Sequence, residues 1–336
     1  MTDQGTPLVE LKDIFMFFPV GDEEHMQAGY NVSLQLRSRD MIAVVGESGC
    51  GKSTVGRICL GVQEPTRGQV LYQGSDIWDP AFRWTEDLRF SVQIVHQDSF
   101  ASLNPVRTIY QTLSAPLFHY GLASNRDEAR KKVTELLQSV DLAPMEFFID
   151  KYPFQLSGGQ RQRVSIARTT ILKPKLIVAD EPVSAVDASM RLSLLDLMKK
   201  LNQEHDIAFL YITHDLATAR YFAPKGQLVV MYLGRIVEIG TIDDAVRNPG
   251  HPYLQALLTA IPPSDPHQAK KQVKLPLKSF DMPNASNPPP GCVFHPRCPH
   301  SDEMCANEIP LLEETKRYPN RKIACRFKDK IPAWKK

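Results

Sequence analysis

A short glycine-rich loop holds the residues of this chain with the clearest chemical potential. Residues 45–55 read VGESGCGKSTV, which contains the spacing Gly-x-x-x-x-Gly-Lys-Ser. An apolar run of buried-strand type at 41–45 precedes the loop, and a helical pattern follows it, the context in which this spacing forms a phosphate site. Backbone N–H groups can then face the phosphates, Lys52 can bridge the outer phosphates and Ser53 can ligate Mg²⁺. The loop therefore predicts binding of a nucleoside triphosphate.

Two carboxylates stand at the end of a second apolar run. The segment LIVADEP places Asp180 and Glu181 directly after the apolar residues 176–179. A buried strand that ends in this way puts Asp180 near the Mg²⁺ coordination sphere. Glu181, one residue further on, can polarise an attacking water as a general base. The pair indicates hydrolysis of the bound nucleotide.

A serine and two glycines form a second candidate anion site. Residues 156–160 read LSGGQ and open a helical pattern. A hydroxyl, bare backbone N–H groups and a helix dipole together suit an anion. One triphosphate does not need both anion sites from the same chain. We therefore expect this second site, the serine-glycine tip at 156–160, to contact the nucleotide of a partner chain, so that two copies enclose two nucleotides.

Short strand patterns alternate with helical stretches over much of the chain and would position these residues. This alternation favours an α/β sheet with a parallel core. Between about 98 and 153 the strand signal disappears, and an apolar helix face that Asn125 could cap takes its place. That region is predicted to be a helical insertion. The strand candidates are 9–11, 32–36, 41–45, 70–72, 92–95, 176–179, 207–212 and 228–232.

Composition and charge limit the class of protein. The chain has 336 residues, enough for one large domain and a smaller one. Its 40 Lys and Arg nearly balance 38 Asp and Glu, so no strong field would draw it onto nucleic acid. No apolar run approaches the roughly 20 residues of a membrane helix, and the N-terminus lacks the pattern of a signal peptide. We expect a soluble intracellular protein that docks on a membrane partner.

A series of motifs resembles, in chain order, the motif set of the ATP-binding cassette (ABC) ATPases. The resemblance spans residues 8–240. It implies an α/β fold: a P-loop ABC nucleotide-binding domain with a mixed sheet, a RecA-like core and a helical subdomain at 98–155. The implied domains are 1–240 and a small cysteine-containing extension, 241–336. The matching Walker A loop, Q-loop, signature, Walker B motif, D-loop and switch histidine are 46–54, Gln97, 156–160, 180–181, 184–187 and His214.

The resemblance also implies roles for single residues. Glu181 would be the catalytic base, and His214 would hold the γ-phosphate. Gln97 would reach the Mg²⁺ and water and sense the transmembrane partner, and Lys52 would contact the phosphates. Since every required position is filled, we expect ATP hydrolysis and not binding alone. The residues implied to bind ATP are Phe18, Gly46, Glu47, Ser48, Gly49, Cys50, Gly51, Lys52, Ser53, Thr54, Gln97 and Asp180, with Ser157, Gly158, Gly159, Gln160 and Asp187 acting across the dimer.

Two further details of the nucleotide site follow from the same resemblance. Mg²⁺ would be held by Ser53, Gln97 and Asp180. The adenine would stack on Phe18, although the neighbouring Phe17 is a rival for that position. ATP and Mg²⁺ are therefore the expected substrate and cofactor.

Longer stretches narrow the resemblance. Residues 97–105, 230–240, 248–261 and 291–305 resemble ATPase subunits of oligopeptide, dipeptide and nickel importers. The start FFPV at 17–20 looks more like the second of the two paired ATPase subunits that such systems use. The resemblance implies a subunit that powers peptide import. Import of nickel or oligosaccharides, and a soluble ABC ATPase without a transport role, are the alternatives.

The implied partners follow from that family. They are a sister ABC ATPase in a heterodimer, two transmembrane permease subunits and, through the permease, an extracytoplasmic solute-binding protein; no nucleic acid is implied. ATP would close the dimer and shift the membrane helices that the helical insertions grip. The chain would lie peripherally on the cytoplasmic face of the plasma (inner) membrane.

Four cysteines near the C-terminus need a separate explanation. Four thiolates without disulfide chemistry suit a [4Fe–4S] cluster or structural Zn²⁺. The spacing lacks the close pairs of zinc ribbons, and some relatives of this region resemble iron–sulfur proteins, so the cluster is favoured. His295 and His300 keep a mixed zinc site open, and four reduced, packed cysteines are the third alternative. The four are Cys292, Cys298, Cys305 and Cys325.

Overall fold

The structure, a computed structural model, describes residues 6–21, 24–261 and 276–334. These residues form two compact units, each built from several chain segments. Each unit holds part of the residues predicted for the nucleotide site. The first unit comprises the described residues of 1–8, 36–40 and 79–211, and the second those of 9–35, 41–78 and 212–336.

The strands follow the apolar patterns of the sequence in most places. Ile42 to Val45, for example, are each at most 2% exposed, as a strand covered on both faces requires. In chain order the described strands are β1 (Val9–Val20), β2 (Glu24–Leu36), β3 (Met41–Val45), β4 (Arg67–Tyr72), β5 (Ser75–Asp76), β6 (Val92–Val95), β7 (Leu176–Asp180), β8 (Ala208–Thr213), β9 (Gln227–Tyr232), β10 (Arg235–Thr241), β11 (Glu313–Glu314) and β12 (Lys322–Ile323).

Several of the helices begin at polar residues that cap their first turns. Asn125 accepts a hydrogen bond from the Glu128 N–H at 2.9 Å, which confirms its predicted role as a cap. The described helices are α1 (Lys52–Cys59), α2 (Glu86–Ser91), α3 (Ser99–Ser102), α4 (Ile109–His119), α5 (Arg126–Ser139), α6 (Glu146–Ile149), α7 (Gly158–Thr170), α8 (Ala188–His205), α9 (Leu216–Phe222), α10 (Ile242–Arg247), α11 (Pro252–Ala260) and α12 (Glu303–Asn307), with a 3₁₀ turn at Pro153–Gln155.

The second unit contains parallel and antiparallel strands. One of them, β3, leads into the glycine-rich loop of residues 46–54, which we call the phosphate loop. Within the unit, one set of strands follows the order β11-β12-β10-β9-β3. β3 and β9 run parallel, with Val45 opposite Val230, whereas β9 and β10 run antiparallel. β12 extends this set because Ile323 pairs antiparallel with Glu238 of β10. A second group in the same unit has the order β2-β1-β4-β5.

The first unit combines parallel strands with most of the helices. β6 and β7 are parallel, with Val95 opposite Ala179. Residues 98–155 contain helices and turns but no strand. The core face of α5 is formed by Ala129, Val133 and Leu137, which are each 0% exposed. Whether 98–155 is a separate subdomain stays a prediction.

The predicted α/β class with a mixed sheet is confirmed. The sequence patterns did not indicate β5, β10, β11 and β12. Of these, β5, β11 and β12 are each two residues long and too short for a periodic signal, whereas β10 has seven residues. In the described ranges, no helix is both long and apolar enough to cross a membrane. The predicted boundary at 240 and 241 stays a prediction. The ends of the two predicted domains and residues 262–275 lie outside the described residues.

Candidate active site

The phosphate loop between β3 and α1 packs tightly against neighbouring backbone. Gly51 has a φ of 99°, in the left-handed region, and a Cβ there would lie 2.0 Å from the Ala28 carbonyl oxygen. A Cβ on Gly46 would lie 2.2 Å from the Met231 carbonyl oxygen. Only glycine fits approaches this close. The two glycines therefore let the loop lie directly on β2 and β9.

Lys52 lies buried at the start of α1 and contacts the loop itself. Its Nζ donates to the carbonyl oxygens of Gly46 and Glu47, each at 2.9 Å. Gly51, the N-cap residue, offers no side-chain hydrogen bond to the first turn. N–H groups that lack a side-chain cap suit an anion. Ser53, predicted to hold Mg²⁺, is exposed on the same turn.

The remaining loop residues differ in exposure. Ser48 and Gly49 are exposed and Thr54 is half-buried, whereas Cys50 is 1% exposed. Burial raises the pKa of the Cys50 thiol, and the nearby charge of Lys52 only partly offsets that rise. Cys50 is therefore a protonated, space-filling residue under the loop rather than a nucleophile.

Gln97 and Glu181 meet at one edge of the first unit. β6 and β7 are parallel, so residues that follow them leave the same edge. The Gln97 Nε2 donates to the Glu181 Oε2 at 3.3 Å. Asp180, the last residue of β7, is half-buried beside them in sequence. The amide gives the carboxylate a fixed partner, as the orientation of a general base requires.

The backbone of Glu181 is itself in an unusual conformation. Its φ is 45°, which lies in the left-handed region. For a residue with a Cβ this conformation costs about 1–2 kcal/mol. The Glu181 carbonyl oxygen accepts hydrogen bonds from the Ser184 N–H at 3.2 Å and from the Ser184 hydroxyl at 2.9 Å, which stabilise the turn. Local strain of this kind is common at catalytic positions.

The Ser-Gly-Gly segment starts α7, as its pattern predicts. The Ser157 hydroxyl accepts from the Gln160 N–H at 3.3 Å, and the Gln160 Oε1 accepts from the Ser157 N–H at 2.9 Å. This reciprocal capping leaves the serine exposed at the tip. A Cβ on Gly159 would lie 3.2 Å from the Met190 side chain, so the helix start packs closely on α8. Asp187, exposed before α8, does not cap that helix with its side chain.

His214 and the candidate adenine-stacking rings lie in the second unit. His214 is exposed directly after β8, where Asp215 caps α9 by accepting from the Ala217 N–H at 2.8 Å. Phe17 and Phe18 are both half-buried on β1. Their similar exposure does not separate the two rings, so the choice of Phe18 stays a prediction.

The predicted site residues divide between the two units. The second unit holds Phe18, the phosphate loop and His214; the first holds Gln97 together with 157–160, 180–181 and Asp187. The roles that the resemblance implies for these residues in binding and hydrolysis stay predictions. The contacts within each unit agree with the chemistry those roles need.

Sequence reasoning missed two residues that contact the phosphate loop. The Tyr253 hydroxyl accepts a hydrogen bond from the Glu47 N–H at 2.8 Å, and Arg297 donates to the Glu47 carboxylate. They lie 206 and 250 residues away from Glu47 along the chain. No local spacing could have indicated either contact.

The four C-terminal cysteines line one pocket as free thiols, together with His295 and His300. Burial raises the pKa of Cys298 and of Cys325 to about 12, and the neighbouring cysteines add to the rise. In the described part of the chain, no group of three or more His, Cys, Asp or Glu is arranged to hold a metal ion. The structure therefore does not support the metal site predicted at Cys292, Cys298, Cys305 and Cys325.

The fold and the phosphate loop define a P-loop ATPase, and comparison with known families agrees. The ABC transporter family matches residues 30–184, and the family described as "Oligopeptide/dipeptide transporter, C-terminal region" matches residues 237–305. The dimeric post-hydrolysis structure of the ATP-binding cassette MJ0796 with ADP and Pi has a TM-score of 0.61 and 30% identity, covering 70% of this chain and 98% of that one. CbiO1 of Clostridium perfringens, at 24% identity and a TM-score of 0.60 over 71% of this chain and 90% of that one, supports the fold.

Similar full-length proteins narrow the class further. Oligopeptide transport ATP-binding protein AppF of Bacillus subtilis is 39% identical over 95% of this chain and 96% of that protein. Dipeptide transport ATP-binding protein DppF of Haemophilus influenzae is 40% identical over 93% of this chain and 94% of that protein. The chain belongs to the ABC transporter ATP-binding proteins of the oligopeptide and dipeptide family, and it is an ATP hydrolase.

Proposed function

We propose that this chain is the ATP-hydrolysing subunit that powers an importer of peptides. The observation that carries the proposal is the match of residues 237–305 to the C-terminal region of oligopeptide and dipeptide transporters. That region follows the ATPase motifs in the same chain. The two named relatives align with nearly the whole length of this chain. Nickel and oligosaccharides remain alternative solutes, and an ABC ATPase without a transport role is the less favoured alternative.

The hydrolytic step is in-line attack of water on the γ-phosphate, in which the bond to the bridging oxygen breaks and ADP leaves. Glu181 would take the proton of the attacking water, with Gln97 fixing the carboxylate through its amide. Lys52 would exchange its hydrogen bonds to the loop carbonyl oxygens for contacts with the outer phosphates. His214 would hold the γ-phosphate. Mg²⁺, for which Ser53, Gln97 and Asp180 are the candidate ligands, supplies charge neutralisation on the phosphates when bound.

The working assembly would contain further subunits. A sister ABC ATPase would place its own serine-glycine tip over the nucleotide of this chain, and Ser157 would serve the sister's nucleotide in return. Two permease subunits would receive the motion, and a solute-binding protein outside the membrane would deliver the peptide. The chain would therefore lie on the cytoplasmic face of the membrane. Support comes from the relatives, which are transport ATP-binding proteins, and from the dimeric MJ0796 cassette.

Transport by the reconstituted complex tests this function. We expect labelled di- and oligopeptides to accumulate in vesicles that contain the complex, and Glu181→Gln to abolish that uptake while ATP binding persists. Loss of a general base lowers turnover by about 10²–10⁴-fold. Glu204→Gln, at an exposed position of α8 in the same unit, is the matched control and should transport normally. Uptake of nickel or an oligosaccharide instead of peptides would contradict the solute class, and undiminished uptake with Glu181→Gln would contradict the role of the base.

We further propose that the four-cysteine pocket holds a [4Fe–4S] cluster, with Zn²⁺ as the alternative. The support is the convergence of all four thiols on one pocket, although they are not arranged as metal ligands. Metal analysis of protein purified without air tests the proposal. A cluster predicts about four iron and four sulfide per chain. Protein that contains neither iron nor zinc would leave the cysteines as packed thiols.

A further inference from the structure

A buried arginine of the C-terminal segment, which comprises residues 241–261 and 276–334, contacts the phosphate loop. The Arg297 side chain is 8% exposed and lies against Glu47, whose side chain is 31% exposed. The Arg297 Nη1 donates to the Glu47 Oε2 at 2.9 Å, and Nη2 donates to Oε1 at 3.2 Å. A two-pronged guanidinium–carboxylate pair is among the stronger charged contacts in proteins. Glu47 directly follows Gly46, so this pair lies on the loop itself.

The position of Arg297 is fixed by contacts other than Glu47. Its Nη1 also lies 3.1 Å from the Met282 Sδ and donates to the Tyr232 hydroxyl at 3.4 Å. Its backbone carbonyl accepts from the Lys278 N–H at 2.8 Å, and its N–H donates to the Phe294 carbonyl at 3.0 Å. The guanidinium therefore has partners besides Glu47, and these partners fix the position at which the Glu47 carboxylate binds it.

All the polar groups of Glu47 have partners within the second unit. The carboxylate binds Arg297, and the N–H donates to Tyr253, which is 1% exposed. The carbonyl oxygen accepts from the Lys52 Nζ at 2.9 Å. Two of these three partners come from the C-terminal segment. The C-terminal segment therefore holds Glu47, the second residue of the phosphate loop, in place.

We propose that Arg297 is a positioning residue for ATP, which holds the Glu47 carboxylate and cancels its charge beside the phosphates. A loop that must gather a polyanion carries one carboxylate of its own, and an unpaired negative charge there would repel the nucleotide. Pairing with a fixed guanidinium removes this repulsion and keeps the side chain turned toward the C-terminal segment. Arginine suits the position because its planar fork engages both carboxylate oxygens.

The binding of Mg·ATP to the purified full-length chain tests the proposal. We expect Arg297→Met to raise the Kd about tenfold, which corresponds to about 1.4 kcal/mol. The double variant Glu47→Gln with Arg297→Met should bind Mg·ATP more tightly than Arg297→Met alone, because the repelling charge is gone. Arg326→Met, an exposed arginine of the same segment that pairs with Glu308, is the matched control and should leave the Kd unchanged.

Salt separates this electrostatic role from a packing role. The Kd ratio of Arg297→Met to wild type should shrink as salt rises, because ions screen a partly exposed charge. A packing defect would leave the ratio constant. A double variant as weak as Arg297→Met alone, or a ratio insensitive to salt, overturns the proposal, as does an unchanged Kd in Arg297→Met.

A second pair of variants covers the case in which Arg297→Met does not fold. Arg297→Lys keeps the charge and Arg297→Gln keeps only a polar side chain, so both retain a hydrogen-bonding group at the site. The melting temperature without nucleotide reports their folding. We expect Arg297→Lys to bind ATP within about threefold of wild type and Arg297→Gln about tenfold more weakly. Equal affinities for the two variants overturn the proposal.

Discussion

At the scale of single residues, the ion pair of Arg321 and Glu238 lies outside the predicted nucleotide site, and both of its charged side chains are buried. The two side chains are 3% and 0% exposed. The Glu238 Oε2 accepts from the His251 N–H at 2.7 Å, and Arg321 also donates to the Asn248 carbonyl at 2.7 Å. Burial raises the pKa of Glu238, and Arg321 and the backbone N–H groups oppose that rise. The pair connects Arg321 of the C-terminal segment to Glu238 of β10.

Removing Arg321 should therefore destabilise the chain strongly. Arg321→Met leaves a buried carboxylate without its countercharge, and we expect a loss of about 3–5 kcal/mol in the free energy of unfolding near neutral pH. Arg247→Met, which breaks an exposed pair with Asp243, is the control and should change this free energy by less than about 1 kcal/mol. Denaturant unfolding measures both. Equal losses in the two variants would contradict the argument.

The penalty of Arg321→Met should also depend on pH. A carboxyl group with a raised folded-state pKa contributes stability below its ordinary value of 4.5, and that contribution is lost as pH rises through the folded-state pKa. Without Arg321 the folded-state pKa rises further. The difference from wild type should thus be smaller at about pH 5 than at about pH 8. Burial lowers the pKa of His251 to about 3, but both proteins carry it, so the comparison at each pH removes most of its effect.

At the scale of elements, the chemistry depends on where strands end and helices begin. The loop after β3 and the start of α1 form one predicted anion site, and the start of α7 forms the other. β6 and β7 end at the same edge and bring Gln97 to Glu181. Each of these features arises at an element boundary, where backbone N–H groups lack helical partners and side chains can approach a ligand.

A bulky charge at the start of α7 should block catalysis across the dimer. We expect the complex with Ser157→Arg to lose at least about half of its ATP turnover, because one of its two nucleotides lacks its tip. ATP binding to the isolated chain should persist, since Ser157 is predicted to serve the nucleotide of the partner chain. Asn125→Arg also replaces an exposed cap, that of α5, and should leave turnover unchanged. Full turnover with arginine at position 157 would exclude the shared site.

At the scale of the whole molecule, the residues predicted to carry the ATP chemistry belong to two compact units. The C-terminal residues from 212 to 334 that the structure describes fall in the same unit as the phosphate loop. Contacts from Tyr253 and Arg297 to Glu47 are one consequence. The C-terminal segment therefore belongs to the same unit as the loop that is predicted to bind phosphate.

Much of the local structure could be predicted from residue spacing. The loop before α1, the cap of α5 and the start of α7 depend on residues a few positions apart, because they reflect the needs of adjacent backbone groups. Glycine at 46 and 51 followed from the phosphate motif, and the structure adds the close backbone contacts that require it. The parallel strands that carry Glu181 followed from the alternation of strand and helix patterns.

The long-range contacts were decided only by tertiary structure. Gln97 and Glu181 are 84 residues apart, Arg321 and Glu238 are 83 apart, and Arg297 and Glu47 are 250 apart. The sequence by itself determined which residues could bind phosphate, because that ability depends on a continuous stretch of backbone. It could not determine which buried arginine faces which carboxylate, because that choice depends on how distant segments pack to pair buried charge.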